Sequence, residues 1–334
     1  MINVKLKLAV LGAFSLISAQ AMSLGFESLN TVGYAVTGTG AGTHQPTGGT
    51  TAFKICNPTG NYGSLSTGAS LPTSTTNNTC AFVPNPATDL TAPEAGFTLV
   101  ASTNRTVRMD NPLTPVGGIN VGTLLDVVWR NAANTTCIYG TKVTLTNVDY
   151  NPAAGTQRFE VNGIARGGFS GSGDVSVGYS RVSATADVVY RVGRSFTSVQ
   201  HRAASLGSGV FAPGYYNLPV NSPAYSASIN GTNASALTVP TVGEQSADIN
   251  TNWVEFSTDA NFLDDDNSTR PASAMTYVKA GCSSAAPATV SNAIRLRQSY
   301  QEQGTTQPFI EVRVDGYVPP GGNANPAPVP GSTF

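Results

Sequence analysis

The chain has 334 residues and a formal net charge of −1, and only 11% of its residues are charged. This charged fraction is about half the usual value of about 25% for a globular chain. Gly, Ser, Thr and Asn therefore supply most of the polarity here. Neither a basic patch nor a basic helix is visible, which excludes nucleic acid and anionic lipid as expected partners.

The first residues have the features of a secretory signal peptide. Lys5 and Lys7 precede the apolar run Leu8–Ile17, and Ala19–Ala21 is an A-x-A cleavage site. We weigh this against a buried N-terminal helix and favour removal of residues 1–21, which takes the formal charge from −1 to −3 through the loss of Lys5 and Lys7. The mature protein is then expected outside the cell, at the cell surface or in the periplasm, without a transmembrane helix.

Four cysteines remain after export: Cys56, Cys80, Cys137 and Cys282. An even number in an oxidising compartment indicates two disulfides, for which three pairings exist. We favour Cys56 with Cys80, across a polar loop, and Cys137 with Cys282. No C-x-x-C pair occurs, which argues against a structural zinc site or a thioredoxin-like redox site.

Short alternations of apolar and polar residues, separated by turn residues, indicate β-strands. Leu125, Val127 and Trp129 alternate with residues that are also largely apolar, which fits a central strand better than an edge strand. No βαβ rhythm appears, and one short helix is expected, over Ser198 to Leu206. The pattern predicts an all-β antiparallel sandwich, Greek-key or jelly-roll-like, with long Gly/Ser/Thr/Asn-rich loops.

The chain divides into few parts after the signal peptide. We expect residues 22–317 to form one large β domain or two closely packed sheets, with a possible junction over 207–247. Residues 318–334 are rich in Pro, Gly and Asn and are expected to be a flexible tail. Before that tail, 293–299 and 309–317 read as a hairpin with cross-strand Arg–Glu pairs on its solvent face.

The stretch from Asp248 to Cys282 combines a Trp, two strand-like runs, a carboxylate cluster and a cysteine. Its carboxylate and amide oxygens suit Ca²⁺, which takes six to eight oxygen ligands. The alternative is a solvated acidic turn, and the spacing does not match an EF-hand. The candidate calcium ligands are Asp259, Asp264, Asp265, Asp266 and Asn267.

Catalysis has little support in the sequence. His44 and His201 are the only histidines and lie in polar surroundings, and no G-x-S-x-G motif occurs. A glycosidase carboxylate pair could be drawn from Asp248, Glu255 and Asp259, but extracellular β proteins offer such pairs by chance. The sequence therefore favours a protein without enzymatic activity.

Two further surfaces are candidates for binding. Tyr215, Tyr216 and Tyr225 fall in a loop-rich stretch and could stack on sugar rings, or else pack under a loop. The segment Ser23 to Val36 could add to the sheet edge of a neighbouring molecule, or fold back on its own sheet. The apolar residues that such a donated segment would bury are Leu24, Phe26 and Leu29.

These observations rank three functions. The first is an exported structural or adhesive protein, a subunit of a filament or surface assembly. The second is a carbohydrate-binding module for a surface glycan, assisted by calcium. The third is an extracellular glycoside hydrolase.

Overall fold

The computed structural model describes residues 25–35, 50–55, 81–111, 113–153, 155–186, 189, 191–196, 198–202, 214–218, 229–232, 249–263, 269–298 and 308–324. Within these residues every regular element is a β-strand, and most strands form two antiparallel sheets. The predicted all-β, sandwich-like fold is confirmed. This described part contains no helix that is long and apolar enough to cross a membrane.

The first sheet has six strands in the order β1-β9-β15-β7-β6-β5. Their bounds are β1 Glu27–Leu29, β5 Phe97–Met109, β6 Ile119–Asn131, β7 Thr136–Leu145, β9 Val175–Ser180 and β15 Met275–Gly281. β6 lies between β5 and β7, so the central position predicted from Leu125, Val127 and Trp129 is confirmed.

The second sheet has seven strands in the order β13-β17-β16-β8-β14-β10-β4. Their bounds are β4 Phe53–Ile55, β8 Val161–Gly167, β10 Arg191–Gly193, β13 Ile229–Thr232, β14 Trp253–Ala260, β16 Ala288–Gln298 and β17 Pro308–Val318. β16 and β17 form the predicted antiparallel hairpin, with Leu296 opposite Val312.

Two small ribbons lie outside these sheets. β2 (Tyr34–Ala35) pairs with β3 (Thr50–Thr51), and β11 (Ser198–Arg202) pairs with β12 (Gly214–Leu218). The short helix predicted over Ser198 to Leu206 is therefore wrong where the structure describes it. The backbone of β11 obtains its hydrogen bonds from β12, which follows it after a connection and lies outside the short window over which the helix was predicted.

The core lies between the two sheets. One buried cluster joins Val128 and Tyr139 of the first sheet to Val254 and Phe256 of the second. A neighbouring cluster joins Leu124 and Val143 to Ile164, Leu296 and Val312 in the same way. Because each cluster takes residues from both sheets, the sheets share one hydrophobic interior.

Each sheet also has a covered outer face, marked by a tryptophan. The indole N–H of Trp129 donates to the carbonyl of Leu90. Leu90 belongs to the segment before β5, whose Asp89 and Glu94 also contact lysines of the first sheet. On the second sheet, the rings of Trp253 and Phe196 pack edge to face with centroids 4.6 Å apart. Both tryptophans are fully buried, although each points away from the space between the sheets.

The Cys137–Cys282 disulfide is confirmed, whereas Cys56 and Cys80 lie outside the described residues. Cys137 is on β7, and Cys282 directly follows β15, the neighbouring strand; their Cα atoms are 5.6 Å apart. The bond therefore links adjacent strands of one sheet that are 145 residues apart in the sequence.

The start of the expected flexible tail is packed. Val318 ends β17 and is buried, and Ala324 is buried beside Trp253. The side-chain amide of Asn252 donates to the carbonyl of Asn323 over 2.9 Å. Residues 318–324 thus belong to the folded domain, because they cover the outer face of the second sheet.

Candidate functional site

Among the described residues, the largest charged constellation lies on the outer face of the seven-stranded sheet. Glu255 comes from β14, Arg295 and Arg297 from β16, and Glu311 and Arg313 from β17. The strand register places them side by side, with Arg297 opposite Glu311 and Arg295 opposite Arg313. We call these five residues the Glu255–Glu311 cluster.

Arg297 is the centre of the Glu255–Glu311 cluster. Its Nη1 donates to Glu255 Oε2 at 2.8 Å, and its Nε donates to Glu311 Oε2 at 3.1 Å. Nη1 also donates to the carbonyl of Phe196, whose ring lies 4.2 Å from the guanidinium carbon. Glu311 Oε1 accepts from Arg295 Nη1 at 2.6 Å and from Arg313 Nε at 3.3 Å.

This cluster contains the predicted cross-strand Arg–Glu pairs, but they are not on a solvent face. The side chains of Glu255, Arg297 and Glu311 are at most 1% exposed. Arg–Glu alternation predicts a solvated face only where no other layer covers the sheet. Here Phe196 and Trp253 cover it.

The two carboxyl groups have opposite pKa shifts. Burial raises the pKa of Glu255 to about 7, because the nearby Arg297 offsets only part of the desolvation cost. Burial also acts to raise the pKa of Glu311, but the attraction of Arg297, Arg295 and Arg313 outweighs it. The pKa of Glu311 therefore lies below its ordinary value.

Two carboxyl groups with pKa values driven apart are also what a glycoside hydrolase needs. In such an enzyme the space between the carboxyl groups holds the scissile bond. In this protein that space holds Arg297, which donates to both Glu255 and Glu311. The cluster thus links β14, β16 and β17 through hydrogen-bonded ion pairs.

Gly163 keeps this arrangement possible. A Cβ at Gly163 would lie 2.9 Å from Glu255 Oε1, which is closer than a real Cβ atom comes. Glu255 Oε1 is buried and has no hydrogen-bond partner among the described residues. That oxygen therefore adds to the cost of ionising Glu255.

A second buried network crosses the core and is centred on Asp126. Its Oδ1 accepts from Arg166 Nη2 at 2.7 Å, and its Oδ2 accepts from Arg105 Nη2 at 2.9 Å and from the Tyr317 N–H at 2.8 Å. The Arg166 guanidinium carbon lies 5.4 Å from the centre of the Tyr139 ring. Since β5 and β6 carry Arg105 and Asp126, whereas β8 and β17 carry Arg166 and Tyr317, this network ties the sheets together.

An open cleft of about 380 Å³ lies near the disulfide, at one end of the sandwich. Residues of 168–172, 281–283 and 319–322 line it, and they are Gly, Ser, Pro and the bonded Cys282. These lining residues offer backbone and hydroxyl groups but no titratable side chain. The cleft therefore has no chemistry that would define a ligand.

The calcium hypothesis falls mainly outside the described residues. Asp264, Asp265, Asp266 and Asn267 are not described, and Asp259 is a buried residue of β14 that accepts from the Asn261 side-chain amide at 3.4 Å. Within the described chain, no group of three or more His, Cys, Asp or Glu is placed to hold a metal. Calcium binding at the acidic turn stays a prediction.

The other candidate residues are distributed over several elements. Tyr215 and Tyr216 lie on β12 and His201 on β11, and nothing is described of their side chains. The remaining residues of the sugar and catalytic hypotheses lie outside the described residues: Tyr225, His44 and Asp248. Stacking on sugars thus also stays a prediction.

The N-terminal segment folds back on its own chain in this structure. β1 pairs with β9, and Leu29 is fully buried there. The ring of Phe26 lies 6.1 Å from that of Tyr277, with the Lys279 ammonium 4.5 Å from its centre. Leu24 lies outside the described residues, and donation of the segment to a neighbouring molecule stays a prediction.

Sequence reasoning missed Asp126 as a buried ionic centre, although a signal was present. Asp126 interrupts the apolar run from Leu124 to Trp129. A lone carboxylate in a central strand must find a cationic partner, because an unpaired buried charge costs several kcal/mol. Its partner, Arg166, could not be identified from sequence spacing.

Comparison with protein-family models, curated proteins and solved structures found no match. The protein is therefore described by the class of its fold and by its buried ionic networks. It is a two-sheet β-sandwich with a disulfide bond and with charged groups paired inside the fold.

Proposed function

We propose that the protein is an exported structural or adhesive protein, acting at the cell surface or outside the cell as a subunit of a larger assembly. The N-terminal signal sequence and the low charge support export. The Cys137–Cys282 disulfide agrees with an oxidising compartment, because such bonds rarely persist in the cytosol.

The observation that carries the structural role is the position of Arg297 between Glu255 and Glu311. These two buried carboxylates are thereby used to hold three strands together. The Asp126 network serves the same purpose between the sheets. Such an interior suits a rigid scaffold whose function lies on its surface.

Export is tested by expressing the full chain with a C-terminal tag and recovering it from cytosol, periplasm or medium. We expect a mature N-terminus near Met22 and a Cys137–Cys282 cross-link in the mass spectrum of unreduced peptides. A cytosolic product that retains Lys5 and free thiols would overturn the proposal.

The type of surface role is tested separately on the mature protein. Binding to a glycan array would favour the carbohydrate-binding alternative, with calcium added and removed to test the acidic turn. Turnover of a polysaccharide that is lost in Glu255→Gln would favour a hydrolase. We expect neither, and we expect the protein in isolated surface structures instead.

A further inference from the structure

The free edge of β5 is the longest exposed sheet edge in the described residues. β5 ends the six-stranded sheet and has 13 residues, and within the described chain it pairs only with β6. The other end strands are short: β1 and β4 have three residues each, and β13 has four. β13 pairs only with the start of β17, so the longest other edge in the described chain is the rest of β17, which is shorter than β5. An edge strand presents unpaired N–H and C=O groups that can pair with another strand.

β5 has some of the features that protect edges, and they confine pairing to its middle. Register irregularities occur between Leu99 and Ala101 and between Val107 and Arg108. Such bulges commonly end pairing at sheet edges. The second irregularity has its extra residue, Val121, on β6 rather than on β5, so at this end the exposed charge of Arg108 limits pairing instead. The part of β5 between these two limits is Ala101–Val107.

The side chains of this middle part suit pairing with another strand. Ser102, Asn104 and Thr106 are exposed and uncharged, so the outward face lacks the lysines that usually block an edge. Arg105 is the one charged residue of Ala101–Val107, and its guanidinium is bound to Asp126 inside the fold. No free charge therefore opposes the approach of a second strand.

We infer that β5 pairs antiparallel with β5 of a second copy of this chain, about a two-fold axis at Asn104. A second β5 is the one described edge of equal length. In this register Arg105 faces Thr103 and Ser102 faces Thr106, so like charges never face each other and the hydroxyl groups can hydrogen-bond. Because the contact is isologous, it closes as a dimer with one continuous sheet.

The inference rests on the assembly role proposed above for its biological setting, but its test uses purified mature protein. A monomer in solution would refute the pairing and leave export untouched. A cytosolic location would refute the export and leave the pairing untouched.

Sedimentation velocity of the mature protein at about 1 to 100 µM tests the pairing, since short contacts of this kind are often micromolar. We expect a monomer–dimer equilibrium. Asn104→Lys places two lysines opposite each other and should weaken the dimer up to about fivefold. Thr144→Lys is the matched control, because Thr144 is also exposed but lies on β7, with Thr123 on one side and Ala272 on the other.

Cross-linking tests the register. Facing Cβ atoms in an antiparallel pair lie about 4.5–5.5 Å apart, so Asn104→Cys should form a covalent dimer on mild oxidation, whereas Thr144→Cys should not. A wild-type monomer throughout the concentration range would overturn the inference. So would equal weakening by both lysine variants, a ladder of larger oligomers, or a dimer that Asn104→Cys fails to cross-link.

Discussion

Glu255 is a buried acid with a single arginine to balance its charge. Burial raises its pKa to about 7, from an ordinary value of 4.5. A carboxyl whose pKa is higher in the folded than in the unfolded state contributes stability that is full below the unfolded pKa. That contribution is lost as the pH rises through the folded pKa.

We therefore expect the stability of the wild type, relative to Glu255→Gln, to fall as the pH rises from about 4.5 to about 7, by about 1.4 kcal/mol per pH unit. Urea unfolding of both proteins at several pH values measures the difference. Glu94→Gln is the control, because Glu94 is a partly exposed partner of Lys279. Parallel curves for wild type and Glu255→Gln would show that Glu255 is ionised throughout.

Asp126 is a buried acid that is paired with two arginines. Asp126→Asn removes the carboxylate that pairs with Arg105 and Arg166 and leaves both cations without a counter-charge. We expect a loss of about 3–5 kcal/mol in the free energy of unfolding, as for other broken buried pairs.

Denaturant unfolding of Asp126→Asn beside Glu94→Gln measures this loss. The surface variant should lose at most about 1 kcal/mol, because exposed ion pairs contribute little. Equal losses in the two variants would mean that the Asp126 network adds no more than a surface pair.

At the scale of elements, the ring of Trp129 on β6 packs closely over Gly140 on β7. A Cβ at Gly140 would lie 2.6 Å from Cζ3 of Trp129, within the ring that packs over β7. Gly140→Ala should thus cost about 1–3 kcal/mol through overpacking. Gly281→Ala, on β15, is the matched control, since nothing lies within 4 Å of its added Cβ.

Thermal unfolding and Trp fluorescence report this effect together. The displaced Trp129 ring should shift the emission of Gly140→Ala, while Gly281→Ala keeps the wild-type spectrum and melting temperature. An unchanged Gly140→Ala would mean that the ring can move without cost.

The hairpin of β16 and β17 shows how far the sequence predicts an element. Alternation predicted both strands, because apolar residues that face the core recur at every second position in each. They are Ile294 and Leu296 on β16, and Ile310 and Val312 on β17. Alternation did not identify what covers the opposite face. Phe196 and Trp253 come from other parts of the chain, so their contact with Arg295 and Arg297 depends on topology.

The same reason explains the outcome for the candidate sites. The sequence offers Glu255 only as one member of a possible glycosidase carboxylate pair, and its partners Arg297 and Glu311 meet it only through the order β17-β16-β8-β14. The pairing of Cys137 with Cys282 was easier to predict, because four cysteines allow only three pairings.

At the scale of the whole molecule, the disulfide should be a major source of stability. It closes a loop across a separation of 145 residues, for which the chain-entropy model gives about 5 kcal/mol as an upper value and about 2–4 kcal/mol is typical. We expect the double variant Cys137→Ser, Cys282→Ser to lose stability in this range in urea. A change below about 1 kcal/mol would indicate that residual structure already restricts the unfolded chain without the disulfide.

The position of this bond also has a mechanical consequence. A load applied to the two ends of the chain passes from β7 to the residue after β15 through a covalent bond, so the backbone of the strands inside the loop, among them β8, β9, β10 and β14, is not on the covalent path of that load. At about 3.3–3.6 Å per residue, the shielded loop hides about 500 Å of contour length. Single-molecule pulling should release that length only after reduction of the disulfide, whereas the residues on either side of the loop can extend while the bond is intact.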